Sequence, residues 1–465
     1  MITEQLARFV TETRLSDIPG EMLIHARDAL MDTVGCALAG AVEPVAEIAL
    51  TWLNELGARP QATVWGQTVA TSPAEAAFAN GISAHALDFD DSLPTLRGHP
   101  SATMVPTALA VAEIAGSSGA EVLAAYVLGL EIGGKLGRAM GNGHYLRGWH
   151  STATIGTFSS TAVAARLWKL DAPTLQTAWG LAASQMSGLV RNFGTMAKPF
   201  HAGNAARISV LSAWMARQGF TADTTIFDGE RSVLSTYRGD DGAPLEELVT
   251  QLGRPWEVEQ PGVYVKRWPC CYCNHRPIGG MLQLIKQHGI KPEEVTSIAI
   301  GFPPGADNAL VSTNPNTGLE GKFSIEYVAA ALMLDGRLTL ETFTDAMVQR
   351  PAVRAMMAKT RRYRIEDTGV YSGVSGYNDV AIETKRGRFE MRVEKVPGSP
   401  EWPMTAEDRL EKFMDCAGRV LGQPGAERLL ELFQRCNKLD DARELVCATV
   451  PANTRAKPGA LAGTR

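Results

Sequence analysis

Apolar residues along the first half of the chain recur at helical spacing, one stretch after another. Leu23, Ala26 and Leu30 begin one such pattern, which ends near Gly40. Further stretches rich in Ala, Leu and Gly each predict a helix: 74–86, 102–115, 121–138 and 174–189. Because small residues on several faces let helices approach closely, the pattern indicates a large all-helical body.

The pattern changes near Gln260-Pro261-Gly262. Apolar and polar positions alternate over 295–302, and again over 380–393 on both sides of a turn at 385–388, which predicts a strand and a hairpin. Helical spacing accompanies these strands in three stretches: 324–334, 340–349 and 352–359. The sequence therefore predicts a mainly α protein with a large all-helical domain and a smaller α+β domain.

The last part of the chain predicts a return to the first body. Thr405 and Asp408 have the spacing of a capping box, and two helical stretches follow to about residue 437. Pro, Gly and Ala then dominate without an apolar period, which indicates a loose tail. The predicted domains are an all-helical domain of 1–262 and 402–450, an α+β domain of 263–401 and a tail of 451–465.

Composition narrows the classes of function. The 465 residues are 45% hydrophobic and 20% charged, with a formal net charge of -5, so no global basic field favours nucleic acid. No long uncharged apolar run predicts a signal peptide or a membrane span. The seven cysteines are odd in number, and three of them crowd into four positions, unlike a secreted disulfide framework. We expect a cytoplasmic protein with neither nucleic acid nor membrane as a partner.

An acidic segment followed by a histidine is the first candidate for chemistry. Asp88, Asp90 and Asp91 lie within four positions, Ser92 follows them, and His99 comes shortly after. Such groups can supply a base, an acid or a cation site. The same residues also suit an acidic helix cap on an exposed loop.

Two further segments place a cation or an imidazole beside small polar residues. His150 leads into a run of Ser, Thr and Gly that can present an anion with backbone N–H groups, or can simply cap a helix. Lys198 directly precedes Pro199, where a helix does not readily continue. A lysine at such a junction can bind a carboxylate or transfer a proton, although a solvated lysine fits as well.

The segment 263–275 combines two cations, three thiols and a histidine at the predicted domain boundary. Cys270 and Cys273 have metal-ligand spacing, and His275 would add a third ligand. A structural zinc site needs a second ligand pair, and the remaining cysteines stand singly, so we expect no metal. Farther on, Ser324 reads as a helix cap with Tyr327 one turn later, which suits either capping or anion binding.

These segments together resemble the MmgE/PrpD family over roughly residues 1–450. The resemblance rests on motifs in the family's order: HALDFDDS with a following HPS, GWHSTATIG, NFGTMAKPFHAGNAAR, VKRWPC and KFSIEYVAAALMLDG. It implies a large helical domain, an α+β lid, a homodimer and an active site between the domains. It also implies reactions, run without a cofactor, that make or break a C–H bond next to a carboxylate of a small polycarboxylate.

The resemblance carries the family's active-site roles onto particular residues of this chain. The expected catalytic residues are Asp88, His99, His150, Lys198, Lys266 and Tyr327. Asp88 with His99 would form an oriented acid–base pair, while Tyr327 would donate to a carboxylate or a leaving group. The expected substrate-binding residues are Asp91, Ser92, Arg191 and Cys271.

One position departs from the family's decarboxylases, which have a histidine five positions after the lysine of the KRxP segment. Here that position is Cys271, and a neutral thiol cannot replace a cationic imidazole, although a thiolate can act as a base. A lyase acting on a citrate- or aconitate-like polycarboxylate is the leading hypothesis. The alternatives are an epimerase or isomerase of an amino- or imino-dicarboxylate, a non-catalytic family member and an Fe–S hydratase.

Overall fold

Helices make up most of the chain, so the predicted mainly α fold class is confirmed. The structure, a computed structural model, describes residues 1–369, 371, 373 and 375–452. The loose tail predicted for 451–465 lies outside the described residues from 453 onward.

Two compact units divide the chain. The helical unit contains residues 1–86, 95–258 and the chain from 416, and the mixed unit contains residues 87–94 and 259–415. The acidic segment that carries Asp88 thus belongs to the mixed unit, although the flanking chain belongs to the helical unit. The boundaries expected at 262 and 402, and the assignment of the smaller domain as a lid, stay predictions.

The helical unit consists mainly of helices of very different lengths. Up to residue 258 they are, in chain order, α1 Ile2–Glu12, α2 Gly20–Gly40, α3 Pro44–Leu56, α4 Pro73–His85, α5 Ser101–Ala115, α6 Gly119–Leu146, α7 Ser151–Leu167, α8 Ala172–Ala183, α9 Ala197–Arg217, α10 Val233–Tyr237 and α11 Leu245–Leu248. Among the described residues no single helix has the length and apolar composition to cross a membrane. Only α2 and α3 taken together meet both criteria, and the two helices are bent by 84° relative to each other.

A small ladder corrects the expectation that this body is all-helical. Strands β1 (Ala62–Thr63) and β2 (Ala70–Thr71) pair antiparallel. Side chains hold the turn between them, since Asn80 accepts from the Trp65 N–H at 2.9 Å and Glu113 accepts from the Thr63 N–H at 2.8 Å. These bonds replace those that a helix would make within its own backbone.

Helices α4 and α9 cross at glycines. A Cβ on Gly203 would lie 2.4 Å from the carbonyl oxygen of Phe78, and one on Gly81 would lie 2.8 Å from the Gly203 Cα. Any larger residue would therefore push the two backbones apart. This crossing holds the last turn of α4 against the first turns of α9.

The start of α9 differs from the irregular junction expected at Lys198. The helix begins at Ala197, so Lys198 and Pro199 both lie in its first turn. Proline fits there because the first N–H groups of a helix have no partner within it. Lys198 is consequently held on a helix and one turn before His201.

Helix α8 ends at Ala183, earlier than the predicted 174–189. The residues after it pair with the chain that enters α7: the His150 N–H donates to the Gly188 carbonyl at 2.9 Å, and the Val190 N–H donates to the Gly148 carbonyl at 2.8 Å. Gly188 has a φ of 144°, and a Cβ there would come within 2.8 Å of Ala153. Because of this pairing, the residues after Ala183 do not continue α8, and the backbone of His150 is held in place.

The mixed unit contains a four-stranded sheet packed with short helices. The strands are β3 Val295–Phe302, β4 Thr360–Arg364, β5 Asn378–Thr384 and β6 Gly387–Val393, in the order β4-β3-β5-β6. The predicted strand and hairpin are confirmed, whereas β4, which pairs parallel to β3, was not predicted. The helices are α12 His275–His288, α13 Gly318–Gly321, α14 Ile325–Asp335, α15 Asp345–Val348 and α16 Pro351–Met357.

Two helical predictions in the later part of the chain have different outcomes. The helix predicted for 340–349 is instead a 3-10 turn, Glu341–Phe343, followed by the short α15, with Thr344 extended between them. The capping box is confirmed, because Thr405 and Asp408 exchange side-chain-to-backbone bonds of 3.1 Å. It opens α17 (Ala406–Gln434), which is interrupted at Gly422, and α18 (Arg443–Ala448) follows.

Candidate active site

Four histidines of the helical unit lie close together where helices begin or end, and we call them the histidine cluster: His85, His99, His150 and His201. His85 ends α4, His150 caps α7, and His201 lies near the start of α9. The His99 N–H donates to Thr152 Oγ1 at 2.9 Å. Ring centroids are separated by 4.6 Å between His85 and His99, 6.0 Å between His85 and His150, and 5.3 Å between His150 and His201.

His150 and His201 share a hydrogen bond between their Nδ1 atoms at 3.1 Å. One ring must donate a proton at this atom and the other must accept it, so the two tautomers are linked. The other ring nitrogen of His150, Nε2, is buried without a hydrogen-bond partner among the described residues. An imidazole nitrogen left in this way is suited to exchange a proton with a bound molecule.

Burial keeps these imidazoles neutral. It lowers the pKa of His150 well below the usual 6.5, and the positive charges of His85 and Lys198 lower it further. Burial and Lys198 also lower the pKa of His201. Both rings are therefore neutral at pH 7, and His150 is 1% exposed. A neutral ring retains the lone pair that a general base requires.

The ammonium group of Lys198 lies near the histidine cluster, with the Phe193 ring in contact with both Lys198 and His150. Its Nζ lies 5.2 Å from the centre of the Phe193 ring, and the Phe193 and His150 rings meet at 81° with 4.8 Å between their centroids. Lys198 and His201 are three residues apart, so they share a face of α9. The helical unit thus presents an ammonium group together with neutral imidazoles.

Three lysines of the mixed unit bind three consecutive backbone carbonyls of the acidic segment, and we call them the lysine cradle. Lys322 donates to the Leu87 carbonyl at 3.2 Å, Lys266 to that of Asp88 at 2.5 Å, and Lys412 to that of Phe89 at 2.9 Å. Lys412 also donates to the Lys266 carbonyl at 2.8 Å. The cradle therefore fixes the backbone on both sides of Asp88.

Asp88 and Lys266 form an ion pair within this cradle. Lys266 Nζ lies 3.0 Å from Asp88 Oδ1, with the lysine side chain 3% and the aspartate side chain 23% exposed. Asp88 has a φ of 52°, a left-handed conformation that aspartate tolerates better than most residues. Burial alone lowers the pKa of Lys266, but Asp88 and Asp90 outweigh burial and raise it overall. Lys266 is consequently charged, with Asp88 as its partner in this state.

Cys271 belongs to the same environment. A hydrogen bond from the Cys273 thiol lowers the pKa of Cys271, burial opposes this effect, and the Lys266 ammonium lowers the pKa further, so the net direction is downward. The Cys271 N–H donates to the Lys322 carbonyl at 3.0 Å. The thiol of Cys271 is therefore more acidic than that of a free cysteine.

The other predicted site residues have diverse surroundings. Tyr327 is fully buried in the core of the mixed unit, and its hydroxyl donates to the Thr342 carbonyl. The hydroxyl proton that Tyr327 was expected to donate to a carboxylate or a leaving group is thus already engaged by the Thr342 carbonyl. Arg191 is exposed in a 3-10 turn of the helical unit. Asp91 is buried, and Ser92 is half-buried and pairs its backbone with Tyr264.

Sequence reasoning missed His85, His201 and Lys412 as members of these clusters. His85 and His201 lie inside the motifs that were recognised, and the i, i+3 spacing of Lys198 and His201 was a usable signal. Lys412 had no such signal, because the carbonyls that it binds are more than 100 residues away in sequence.

Comparisons with known proteins agree with the resemblance. Residues 4–246 match the model of the MmgE/PrpD N-terminal domain, and residues 268–438 match that of the MmgE/PrpD C-terminal domain. The chain is 26% identical to the cis-aconitate decarboxylase of Homo sapiens, over 96% of this chain and 93% of that protein. It is 25% identical to the cis-aconitate decarboxylases of Mus musculus and Aspergillus terreus, over 96% of this chain and 92% and 95% of those proteins.

Proposed function

The chain belongs to the MmgE/PrpD family, and we propose that it is a lyase which acts on a small polycarboxylate of the citrate or aconitate type. The reaction would proceed by proton transfer next to a carboxylate, without a cofactor. The relatives that support the lyase class are named cis-aconitate decarboxylases. We also propose that the protein works as a homodimer in the cytoplasm.

The observation that carries this proposal is the state of His150. Its ring is neutral, its Nδ1 is bound to His201, and its buried Nε2 has no partner among the described residues. If Nδ1 of His150 carries the proton, Nε2 holds the lone pair and can take a proton from a substrate carbon or hydroxyl. His201 then sets the tautomer of His150.

The remaining predicted residues receive roles that fit a polyanionic substrate. Lys198 and Lys266 supply positive charge for carboxylates, and Arg191 adds a third cation. Asp88 acts through Lys266, whose pKa it raises, and His99 exchanges protons with the substrate. Asp91 and Ser92 contribute to the shape of the acidic segment. The buried hydroxyl of Tyr327 supports its helix and is the least favoured of the proposed catalytic groups.

Decarboxylation is the first reaction to test. In that reaction the bond to the departing carboxylate breaks, its electrons move onto the neighbouring carbon, and a protonated group of the enzyme returns a proton to carbon while CO2 leaves. In a dehydration, a base instead removes the proton next to the carboxylate, and the hydroxyl leaves as water.

Cys271 favours epimerisation as a second candidate. An epimerase that removes a proton and returns one to the other face needs two acid–base groups, and the thiol of Cys271, whose pKa is lowered, offers such a group in addition to the histidines. An amino- or imino-dicarboxylate would be the substrate for this alternative.

A screen of di- and tricarboxylates with the purified protein tests the proposal. CO2 release identifies a decarboxylase, a new ultraviolet absorbance without CO2 identifies a dehydratase, and a change in optical rotation alone identifies an epimerase. Citrate, cis-aconitate and an amino-dicarboxylate such as aspartate should be included. Turnover of a polycarboxylate with release of CO2 or water supports the lyase, whereas the absence of turnover for every compound contradicts it.

A further inference from the structure

Arg276 places a buried cation in the first turn of α12. Among the described residues it is the only arginine that is buried, with 2% of its surface exposed. Nη1 donates to Asn378 Oδ1 and Nη2 donates to the Gly373 carbonyl, both at 3.4 Å. N–H···O bonds are usually about 2.7–3.2 Å long, and Nε has no partner among the described residues. The described part of the chain therefore satisfies the guanidinium group only weakly.

Arg276 forms no ion pair with an acidic side chain among the described residues. Other arginines of the mixed unit do: Arg350 lies 2.5 Å from a carboxylate oxygen of Asp335, and Arg362 lies 3.0 Å from one of Glu326. Both of these arginines are more exposed than Arg276. The residues outside the described ranges include no Asp or Glu. A buried charge without a counterion is costly, so this arginine requires an anion from elsewhere.

The position of Arg276 on α12 makes the absence of a counterion more costly. The helix begins at His275 and extends over 14 residues, and Asn274 gives it no side-chain cap. The N-terminus of a helix carries a partial positive charge, which repels a cation in the first turn. Burial also lowers the pKa of Arg276. An anion bound at Arg276 would oppose both unfavourable effects.

Aromatic residues with hydroxyl groups precede Arg276 in the chain. The Tyr272 hydroxyl is buried and has no partner among the described residues, and its ring stacks on His275 with 4.9 Å between centroids. The Tyr264 ring lies 6.4 Å from the Tyr272 ring and is only half-buried. The backbone of Tyr264 pairs with that of Ser92 in the acidic segment. The turn before α12 thus carries a second polar group that lacks a partner in the described chain.

We propose that Arg276 binds a carboxylate at the N-terminus of α12. A planar guanidinium can donate two parallel N–H bonds to the two oxygens of a carboxylate. A carboxylate brings one negative charge and so neutralises one guanidinium, whereas a phosphate would bring about two. The carboxylate belongs to a small polycarboxylate or to a separate monocarboxylate. The inference goes beyond the proposed function, because binding requires no turnover.

Melting temperatures of the full chain test the proposal. The protein is heated with increasing sodium citrate, sodium acetate or sodium chloride, at constant pH and ionic strength. A ligand that binds only the folded protein raises the melting temperature with its concentration. Citrate acting at a much lower concentration than acetate identifies a polycarboxylate, and equal concentrations identify a monocarboxylate. Citrate also stabilises proteins through exclusion from their surfaces, so each rise is compared with that of a variant without the guanidinium.

R276M removes the charge and retains an unbranched side chain. It should weaken carboxylate binding at least about 30-fold, as expected when one partner of a buried charge pair is lost. An arginine with a merely structural role would leave the carboxylate-dependent rise unchanged and would lower the melting temperature of R276M without any carboxylate. R337M, at an exposed arginine of the same unit, should behave as wild type.

R276K provides the same comparison if R276M does not fold. It keeps a cation but loses the planar fork, and it should bind the carboxylate about 10-fold more weakly than wild type. The proposal is overturned if wild type and the Arg276 variants show the same carboxylate-dependent rise. It is also overturned if chloride produces the same Arg276-dependent rise as the carboxylates.

Discussion

At the scale of single residues, the proton between His150 and His201 determines the chemistry of the histidine cluster. The 3.1 Å contact joins two Nδ1 atoms, and the lowered pKa values of both rings make a doubly protonated pair unfavourable. Whichever ring donates, the other keeps its lone pair at Nδ1 and is protonated at Nε2. The pair therefore provides one basic and one protonated Nε2 atom.

Replacing His150 should abolish this basicity without unfolding the protein. H150N lacks Nε2 and should lower kcat by roughly 10²–10⁴-fold, the range expected for a lost general base. The measurement is steady-state turnover of the substrate found in the screen, with circular dichroism to check the fold. H25N changes an exposed histidine and should retain activity; equal rates in both variants would remove His150 from the mechanism.

Lys412 should matter for stability rather than for substrate binding. K412M loses two hydrogen bonds from a buried ammonium, to the carbonyls of Phe89 and Lys266, and leaves those carbonyls unsatisfied. We expect a loss of about 3 kcal/mol in the free energy of unfolding, measured with denaturant. K438M, at an exposed lysine, should stay within about 0.5 kcal/mol of wild type. An equally stable K412M would show that the cradle does not hold the acidic segment.

Single residues also show what sequence reasoning can and cannot locate. The motif positions of His150 and Lys198 identified groups that the structure brings together through Phe193. Tyr327 lies in an equally recognisable motif, yet the partner of its hydroxyl is the Thr342 carbonyl. Motif spacing gives the type of residue, but it does not reveal which hydrogen bonds the folded chain has already used.

At the scale of elements, the close crossing of α4 and α9 positions the histidine cluster. Those helices carry His85 and His201, and the crossing occurs where Gly81 and Gly203 meet. A shift of either helix would change the distances between the rings. Glycine therefore contributes to the geometry of the cluster without contacting it.

A methyl group at the crossing should be costly. G203A places a Cβ 2.4 Å from a backbone oxygen, so the helices must separate, and we expect a loss of about 1–3 kcal/mol in stability together with reduced turnover. Thermal unfolding and activity are the two measurements. G418A is the matched control, because its Cβ meets nothing within 4 Å on a helix, and it should stabilise the protein by roughly 0.5–1 kcal/mol. An unchanged G203A would contradict the close crossing.

The sequence predicted most elements because their periodicity is local. It failed where long-range pairing overrides local preference: residues after Ala183 leave the helix to pair with the chain before α7, and β4 forms only against β3. The helix predicted over 340–349 is interrupted at Thr344, whose extended backbone a helical period does not reveal.

At the scale of the whole molecule, several buried histidines make the fold sensitive to acid. Burial lowers the pKa of His144, His150 and His201, and it lowers that of His275 to about 3. Each unfolded histidine binds a proton near pH 6.5, whereas the folded one does not. Stability contributed by these residues is therefore present above pH 6.5 and is lost as the pH falls toward the folded pKa.

The melting temperature should consequently fall between pH 7.5 and pH 5. Each such histidine contributes a slope of up to about 1.4 kcal/mol per pH unit in that range. His275 stacks on Tyr272 with 4.9 Å between ring centroids, and H275F retains a flat ring at this position. This variant should lose the contribution of one histidine to the pH dependence of stability. Scanning calorimetry at several pH values is the measurement; a melting temperature that is constant or rises on acidification would contradict this assignment.

The domain organisation was only partly accessible to sequence reasoning. The change of pattern near residue 260 marked a change of architecture, but nothing local indicated that 87–94 groups with the mixed unit. That grouping arises from lysines distant in sequence that bind the carbonyls of Leu87, Asp88 and Phe89.

Deuterium incorporation tests the central claim of proton transfer next to a carboxylate. Di- and tricarboxylates are incubated with wild-type protein and with H150N in deuterium oxide, and proton NMR follows each carbon-bound hydrogen. We expect deuterium next to a carboxylate in the product or recovered substrate, appearing at least about 100-fold more slowly with H150N. No exchange or turnover with any compound, or equal rates for the two proteins, would contradict the account.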